Sequence, residues 1–166
     1  MKKIIVFSAI SVIILVIIIL LVRANSEIGL DDVSPGIECD EKLMEKADVL
    51  YIIPKYENMS IAEDKEWCEK ILAMNKTLAL HGVYHTYEEF GAERDESYLQ
   101  GGIDSFNKCF GYNPERFKPP QMKISEKSKE IVMSKMQLDY YIDSALHKAY
   151  HCGNTGYFSN KFMDLI

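Results

Sequence analysis

The segment His81-Gly82-Val83-Tyr84-His85 sets two imidazoles four residues apart. On a helical turn they share a face and reach one metal ion. Two neutral nitrogens need an anionic third ligand to hold a divalent metal firmly, and the tandem Asp31-Asp32 can supply it from either residue. That set leaves one position open for water. The other aspartate can then take a proton from the metal-bound water, which attacks a carbonyl that the metal polarises. Each signal has a plainer reading. Any helix can carry two solvent-facing histidines. Asp31-Asp32-Val33-Ser34-Pro35-Gly36 makes a good turn with no further duty. Lys118-Pro119-Pro120 can simply end a strand. Placement decides, and the surrounding elements must provide it.

Short apolar runs alternate with amphipathic stretches. Residues 27–30, 47–53 (stopped by Pro54), 77–80, 116–118 and 138–142 read as strands. Residues 39–46 read as a helix. Ser60 opens another, with Glu63 completing a capping box and Ile61, Cys68, Ile71 and Leu72 on its apolar face. A helix over 93–110 presents Leu99, Ile103, Phe106 and Phe110, weakened by Gly101-Gly102. Ser125 caps a helix bearing Ile131, Val132 and Met136. Residues 147–166 are poorly periodic and carry no assignment. The alternation predicts an α/β fold with a mostly parallel sheet and helical crossovers, of five strands, too few for an eight-stranded barrel. Sites in such folds lie at the carboxyl ends of strands. That rule brings Asp31-Asp32, His81, His85 and Lys118-Pro119-Pro120 to one rim.

The hydrophobic residues, 48% of the chain, are unevenly spent. From Ile4 to Val22 only Ser8, Ala9 and Ser11 interrupt large apolar side chains. Nineteen helical residues at about 1.5 Å each cover roughly 28 Å, close to the hydrocarbon thickness of a bilayer. A cleaved secretory signal is usually shorter and ends in small residues. The exit Arg23-Ala24-Asn25-Ser26 favours an uncleaved anchor, residues 1–23, contacting the membrane through residues 4–22. Lys2 and Lys3 before the span, against Arg23 alone after it, predict a single-pass chain at the cell membrane with its N-terminus cytoplasmic. Residues 24–166 then form one extracytoplasmic domain. A net charge of −6, with no dense basic cluster past Lys3, argues against nucleic acid as a partner. Cys39, Cys68, Cys109 and Cys152 form no Cys-x-x-Cys pair, which argues against a thiolate zinc site. They suit two disulfides, with three connectivities open, or buried free thiols.

Together these motifs resemble the polysaccharide deacetylase superfamily (NodB-homology, carbohydrate esterase family 4), and within it an uncharacterised deacetylase-like branch. Leu30-Asp31-Asp32-Val33 resembles the family's Asp-Asp block. Leu80-His81-Gly82-Val83-Tyr84-His85-Thr86 resembles its His-rich block, and Glu89-Phe90 and Tyr51-Ile52-Ile53-Pro54 suit the narrower branch. Phe117-Lys118-Pro119-Pro120 resembles the block usually written Phe-Arg-Pro-Pro. The resemblance implies an incomplete, distorted (β/α) barrel, which the apolar run would precede with one transmembrane helix. It implies a divalent metal, most often zinc, held by Asp32, His81 and His85, with Asp31 as general base. The implied reaction is removal of an N- or O-acetyl group from a glycan.

The sequence departs from the family in places. Lys118 stands where an arginine usually orients the base, keeping its charge but not its planar fork. Gln121 and Met122 replace an expected aromatic and glycine. Asp139 and Asp143 match the late Asp-rich block only loosely. For the family's late histidine, the general acid, His147 and His151 are candidates; His151 is preferred because Gly153-Asn154 after it reads as a loop, against a plainer reading of both as surface histidines. The domain reads as C-terminally truncated relative to the family. Tyr84, Tyr87 and Trp67 can stack on sugars or pack in the core. Three functions follow: a membrane-anchored deacetylase-like hydrolase, an inactive carbohydrate-binding relative, or a structural interaction domain at the membrane surface.

Overall fold

The structure, a computed structural model, describes residues 2–140 and 147–165, with side chains from residue 11 onward. Six strands among the described residues form one sheet in the order β5-β4-β3-β2-β1-β6, every neighbouring pair parallel. The strands are β1 (Gly29–Val33), β2 (Val49–Ile52), β3 (Thr77–His81), β4 (Arg116–Lys118), β5 (Gln137–Leu138) and β6 (Ala149–His151). Among the described residues the sheet is open, with β5 and β6 at its edges. β1 and β2 are buried along their whole length, as strands covered on both faces are.

Alternation sorts the side chains of each strand. Leu50 and Ile52 of β2 join Leu30, Leu80 and Phe117 in the main core, while Val49 and Tyr51 meet Ala79 in a small separate cluster. The main core is closed by helices α3 (Lys65–Ala73) and α4 (Glu96–Phe110), through Cys68, Ile71, Leu99, Ile103 and Phe106. Asp64 and Asp95 cap them, accepting from the N–H of Trp67 and Tyr98. Ser125 caps α5 (Glu126–Met133) in the same way. Two shorter helices, α2 (Glu41–Lys46) and α6 (Asn160–Leu165), complete the domain.

Several boundaries differ from the sequence expectation for identifiable reasons. Ser60 opens only a 3-10 turn, Ile61–Glu63, because Asp64 supplies a second cap four residues later and α3 starts there. Asp95 moves the start of α4 to Glu96 in the same way. Among the described residues the sheet has six strands, not five. β6 lies in the unassigned tail; three residues are too few to show a period, and its partner β1 is at the other end of the chain. The expected strand over 138–142 is β5 in its described part, Gln137–Leu138; positions 141 and 142, with Asp143, lie outside the described residues. All four cysteines are paired, Cys39 with Cys152 and Cys68 with Cys109.

The N-terminal segment is helical, α1 (Lys2–Asn25). Among the described residues no helix is long and apolar enough to cross a membrane. From Val12 to Val22 the described side chains of α1 are exposed. At its end Arg23 turns inward and donates from Nη2 to the Met163 carbonyl of α6 at 2.9 Å.

Candidate metal centre

In a regular strand neighbouring side chains point to opposite faces, so Asp31 and Asp32 should diverge. They do not, because β1 carries a bulge. Leu30 pairs with Leu50 but Val33 pairs with Ile52, leaving one extra residue on β1, and Asp32 takes a left-handed φ of 63°. Both carboxylates therefore line one cavity of about 520 Å³ at the carboxyl ends of the strands, together with His81, His85, Lys118 and His151.

His81 is the last residue of β3. Its Nδ1 donates to the Lys118 carbonyl at 2.9 Å, which leaves Nε2 facing the cavity with its lone pair. His85 does not share a helical turn with it. Residues 82–85 form a loop in which Gly82 has φ 68° and His85 has φ 59°. That loop wraps the carboxylate of Glu89, which is fully buried and accepts from the N–H groups of Val83, Tyr84 and His85. The loop brings the two rings to a centroid separation of 4.9 Å, where a helix was expected to do so.

Asp32 Oδ1 lies 2.9 Å from His85 Nε2 and 3.4 Å from His81 Nε2. One ligand atom from each of the three residues falls within 4.8 Å of the others. Asp32 Oδ1 is buried without a hydrogen-bond partner. A carboxylate oxygen facing two imidazole nitrogens at these distances needs a proton or a cation between them. The donor set therefore fits a divalent ion, two imidazoles and one carboxylate. Burial pushes the Asp32 carboxyl up, but the two imidazoles beside it more than reverse this, and it is held well below the usual carboxylate range. Burial pushes His81 down, the Asp32 carboxylate pulls it up, and the balance is upward. The same field that draws a proton to His81 draws a cation.

Asp31 faces the other way. Lys118 Nζ reaches its two oxygens at 2.8 and 2.6 Å, and His151 Nε2 stands 3.3 Å from Oδ2. Register explains the second contact, since Asp31 pairs directly with His151 across β1 and β6. Burial raises the Asp31 carboxyl and the Lys118 ammonium lowers it, with a net lowering. For His151 burial wins over the Asp31 charge, so its imidazole is held below the ordinary value. His147 is elsewhere. It lines a second cavity, of about 210 Å³, that shares Lys118 with the first.

The wall beside His151 contains residues that the sequence did not single out. Thr155 donates from Oγ1 to Asp32 Oδ2 at 2.5 Å. Gly156 is required by space, because a Cβ there would lie 2.2 Å from His151 Nδ1. Tyr157, almost fully exposed, is the aromatic residue lining the cavity. Of the three aromatic candidates, Trp67 and Tyr84 pack against the core and Tyr87 is exposed outside the cavity lining. Asp139, from the loosely matched late block, is buried under the sheet's end, accepting from Tyr51 Oη at 3.0 Å and Arg116 Nε at 2.7 Å. Glu89 had a sequence signal, its place after the second histidine. Thr155 and Tyr157 had none, in a segment without periodicity.

No family model and no curated protein matches the chain. Solved structures match it in fold. The Bc1960 peptidoglycan N-acetylglucosamine deacetylase, in complex with an N-hydroxybenzamide, superposes with a TM-score of 0.53 at 15% identity, over 68% of this chain and 54% of that one. Peptidoglycan deacetylase PdaC from Bacillus subtilis gives 0.48 at 14% identity, over 69% of this chain and 58% of that one. BA3943 from Bacillus anthracis, a family 4 pseudoenzyme, gives 0.48 at 14%, over 69% and 43%. The chain thus spans about half the length of these proteins, and the likeness to the first of them establishes the fold.

Proposed function

We propose that this chain, whose fold is that of the carbohydrate esterase family 4 polysaccharide deacetylases, is a metal-dependent hydrolase that removes acetyl groups from a glycan beside a membrane. One observation carries the reading: a carboxylate held by a lysine and faced by a histidine stands next to a second carboxylate faced by two histidines, in one cavity. Asp32, His81 and His85 would hold the ion, and zinc suits that donor set. When bound, it supplies Lewis acidity to a water and to the acetyl oxygen.

The remaining work falls to the chain's own residues. Asp31, kept ionised by Lys118, takes a proton from the attacking water. His151, resting neutral 3.3 Å from Asp31, passes a proton on to the departing nitrogen or oxygen. The oxygen–carbon bond forms, the carbon–nitrogen (or carbon–oxygen ester) bond breaks, and the proton leaves with the sugar. Tyr157 at the mouth offers a face for a sugar ring. The solved relative acts on N-acetylglucosamine in peptidoglycan, which makes an N-acetylated glycan the first substrate to try.

The membrane placement rests on α1. The sequence run from Ile4 to Val22 covers roughly 28 Å as a helix, and its side chains from Val12 to Val22 are exposed. Lys2 and Lys3 put its start in the cytoplasm. Two disulfides suit a domain outside it.

The test uses the full chain in detergent. Elemental analysis should find about one divalent ion per chain, lost in His81→Ala and in His85→Ala. Asp31→Asn should keep the ion while release of acetate from acetylated chito-oligomers falls about 10²- to 10⁴-fold. Equal metal content in all three chains would overturn the reading. One observation favours a second reading, a glycan binder without turnover: Lys118 Nζ engages both oxygens of Asp31, the ones a base needs. Glycan binding without acetate release, unchanged in Asp31→Asn, would establish it.

A further inference from the structure

A histidine pair spaced four apart chelates easily from a helix, whose own hydrogen bonds hold the spacing. Here the pair spans a strand end and a loop. His85 sits at φ 59°, a left-handed conformation uncommon outside glycine, which its surroundings hold in place. The surroundings are the Glu89 side chain. Its Oε2 accepts from Val83 N–H at 3.0 Å and His85 N–H at 3.1 Å, and its Oε1 accepts from Tyr84 N–H at 2.8 Å and the Tyr98 hydroxyl at 2.6 Å. Three successive backbone N–H groups thus converge on one buried carboxylate, an anion nest built from the chain's own acid. The carboxylate is in turn fixed at its backbone, where Arg94 Nε donates to the Glu89 carbonyl at 2.7 Å. Gly82 is part of the same construction, because a Cβ there would lie 2.2 Å from Glu89 Oε2.

Such burial of an ionised acid is unfavourable unless donors satisfy it, and here they do. Without it, three buried or half-buried N–H groups lose their acceptor and His85 loses the restraint on its backbone. We propose that Glu89 is a positioning residue for metal binding, templating the loop 82–85 so that His85 Nε2 meets His81 Nε2 and Asp32. This rests on the metal-centre reading, and the experiment separates the two.

The full chain and Glu89→Gln are compared in detergent by two measurements. The first is titration with Zn²⁺ and with Co²⁺, followed for the latter by its visible spectrum. Loss of a partner behind a ligand weakens a metal site about 10- to 100-fold, and that is the expected rise in Kd, with an altered Co²⁺ spectrum. The second uses no metal: amide hydrogen exchange at Val83, Tyr84 and His85 should speed up at least tenfold in Glu89→Gln, while amides of β2 and α3 keep their protection. If the parent chain binds no metal, the metal-centre reading fails, and the exchange result alone judges Glu89. If Glu89→Gln does not fold, Tyr98→Phe replaces it, removing one donor to Oε1 and giving a smaller change of the same kind. Wild-type exchange at the three amides together with a wild-type Kd, in whichever variant folds, would overturn the proposal.

Discussion

On one side of Asp32 the cavity wall is the loop from His81 to Glu89, held by hydrogen bonds that converge on a single carboxylate. On the other side it is the segment from His151 to Tyr157, held by the Cys39–Cys152 bridge, by Gly153 N–H on the Glu38 carbonyl at 2.9 Å, and by the Thr155 hydroxyl on Asp32. The first wall is assembled largely from residues within one short stretch, with Tyr98, Arg94 and the Lys118 carbonyl added from outside it. The second is brought from the far end of the chain onto the β1 edge. It rests on a three-residue strand, β6, and is tied covalently. Each wall also serves a different oxygen chemistry. The first faces Asp32 Oδ1 with imidazoles, and the second places His151 on Asp31.

The sharpest break of this comparison is to cut the covalent tie. A bridge closing a separation of 113 residues is worth about 5 kcal/mol in the chain-entropy account, and one closing 41 residues about 4. Cys39→Ser and Cys68→Ser should therefore lower the unfolding free energy by comparable amounts in denaturant titrations. Their effects on turnover should differ. Cys39→Ser loosens the segment that carries His151, so acetate release falls at least tenfold at temperatures where the chain is folded. The bridge lost in Cys68→Ser joins α3 to α4 in the helical layer, and turnover below its melting temperature should stay within about twofold. Equal turnover losses would mean that the second wall does not depend on its own bridge.

A smaller effect is expected from Thr155→Val. The hydroxyl holds Asp32 Oδ2, the oxygen turned away from the imidazoles. Removing it frees the carboxylate to rotate and should weaken Zn²⁺ binding about tenfold, while His81, His85 and the fold remain. No change in Kd would leave the second wall with a role toward Asp31 alone.

The same contrast explains what could be read from the sequence. The first wall was legible because its residues are neighbours: the two histidines announce themselves by type and spacing, and Glu89-Phe90 by the family resemblance. The strand–helix alternation over residues 27–138 was legible too, since runs such as 47–53 are long enough to show their pattern. Two backbone features were hidden. A β-bulge at Asp31-Asp32 leaves no mark on residue types, yet it decides that both carboxylates enter one cavity. A loop nest and a helical turn share the spacing of His81 and His85, so the helix was the natural expectation and the wrong one. The second wall is contact between distant segments. The family resemblance asks for a late histidine and the loop character of Gly153-Asn154 favours His151 over His147, whereas Thr155 and Tyr157 become visible only where β6 meets β1.

The gentlest probe works on the first wall through Tyr98. Burial, and after it the hydrogen bond to the Glu89 carboxylate, push the Tyr98 phenol up from its ordinary value near 10. A group raised in the folded state adds stability that is complete below its unfolded value, near pH 10, and is lost as pH rises through the folded one. The contribution is therefore intact at neutral pH and fades only in strong alkali. In the difference between the ultraviolet titrations of the full chain and Tyr98→Phe, one phenol should ionise above the ordinary range. Tyr112, raised by burial and by Glu115, is present in both and cancels. In a Glu89→Gln background the same difference should move back toward 10, because the hydrogen bond and the charge go together while the burial remains. A Tyr98 transition indifferent to Glu89 would mean that the phenol is held by α4 packing and that the carboxylate shapes its loop through the three backbone donors alone.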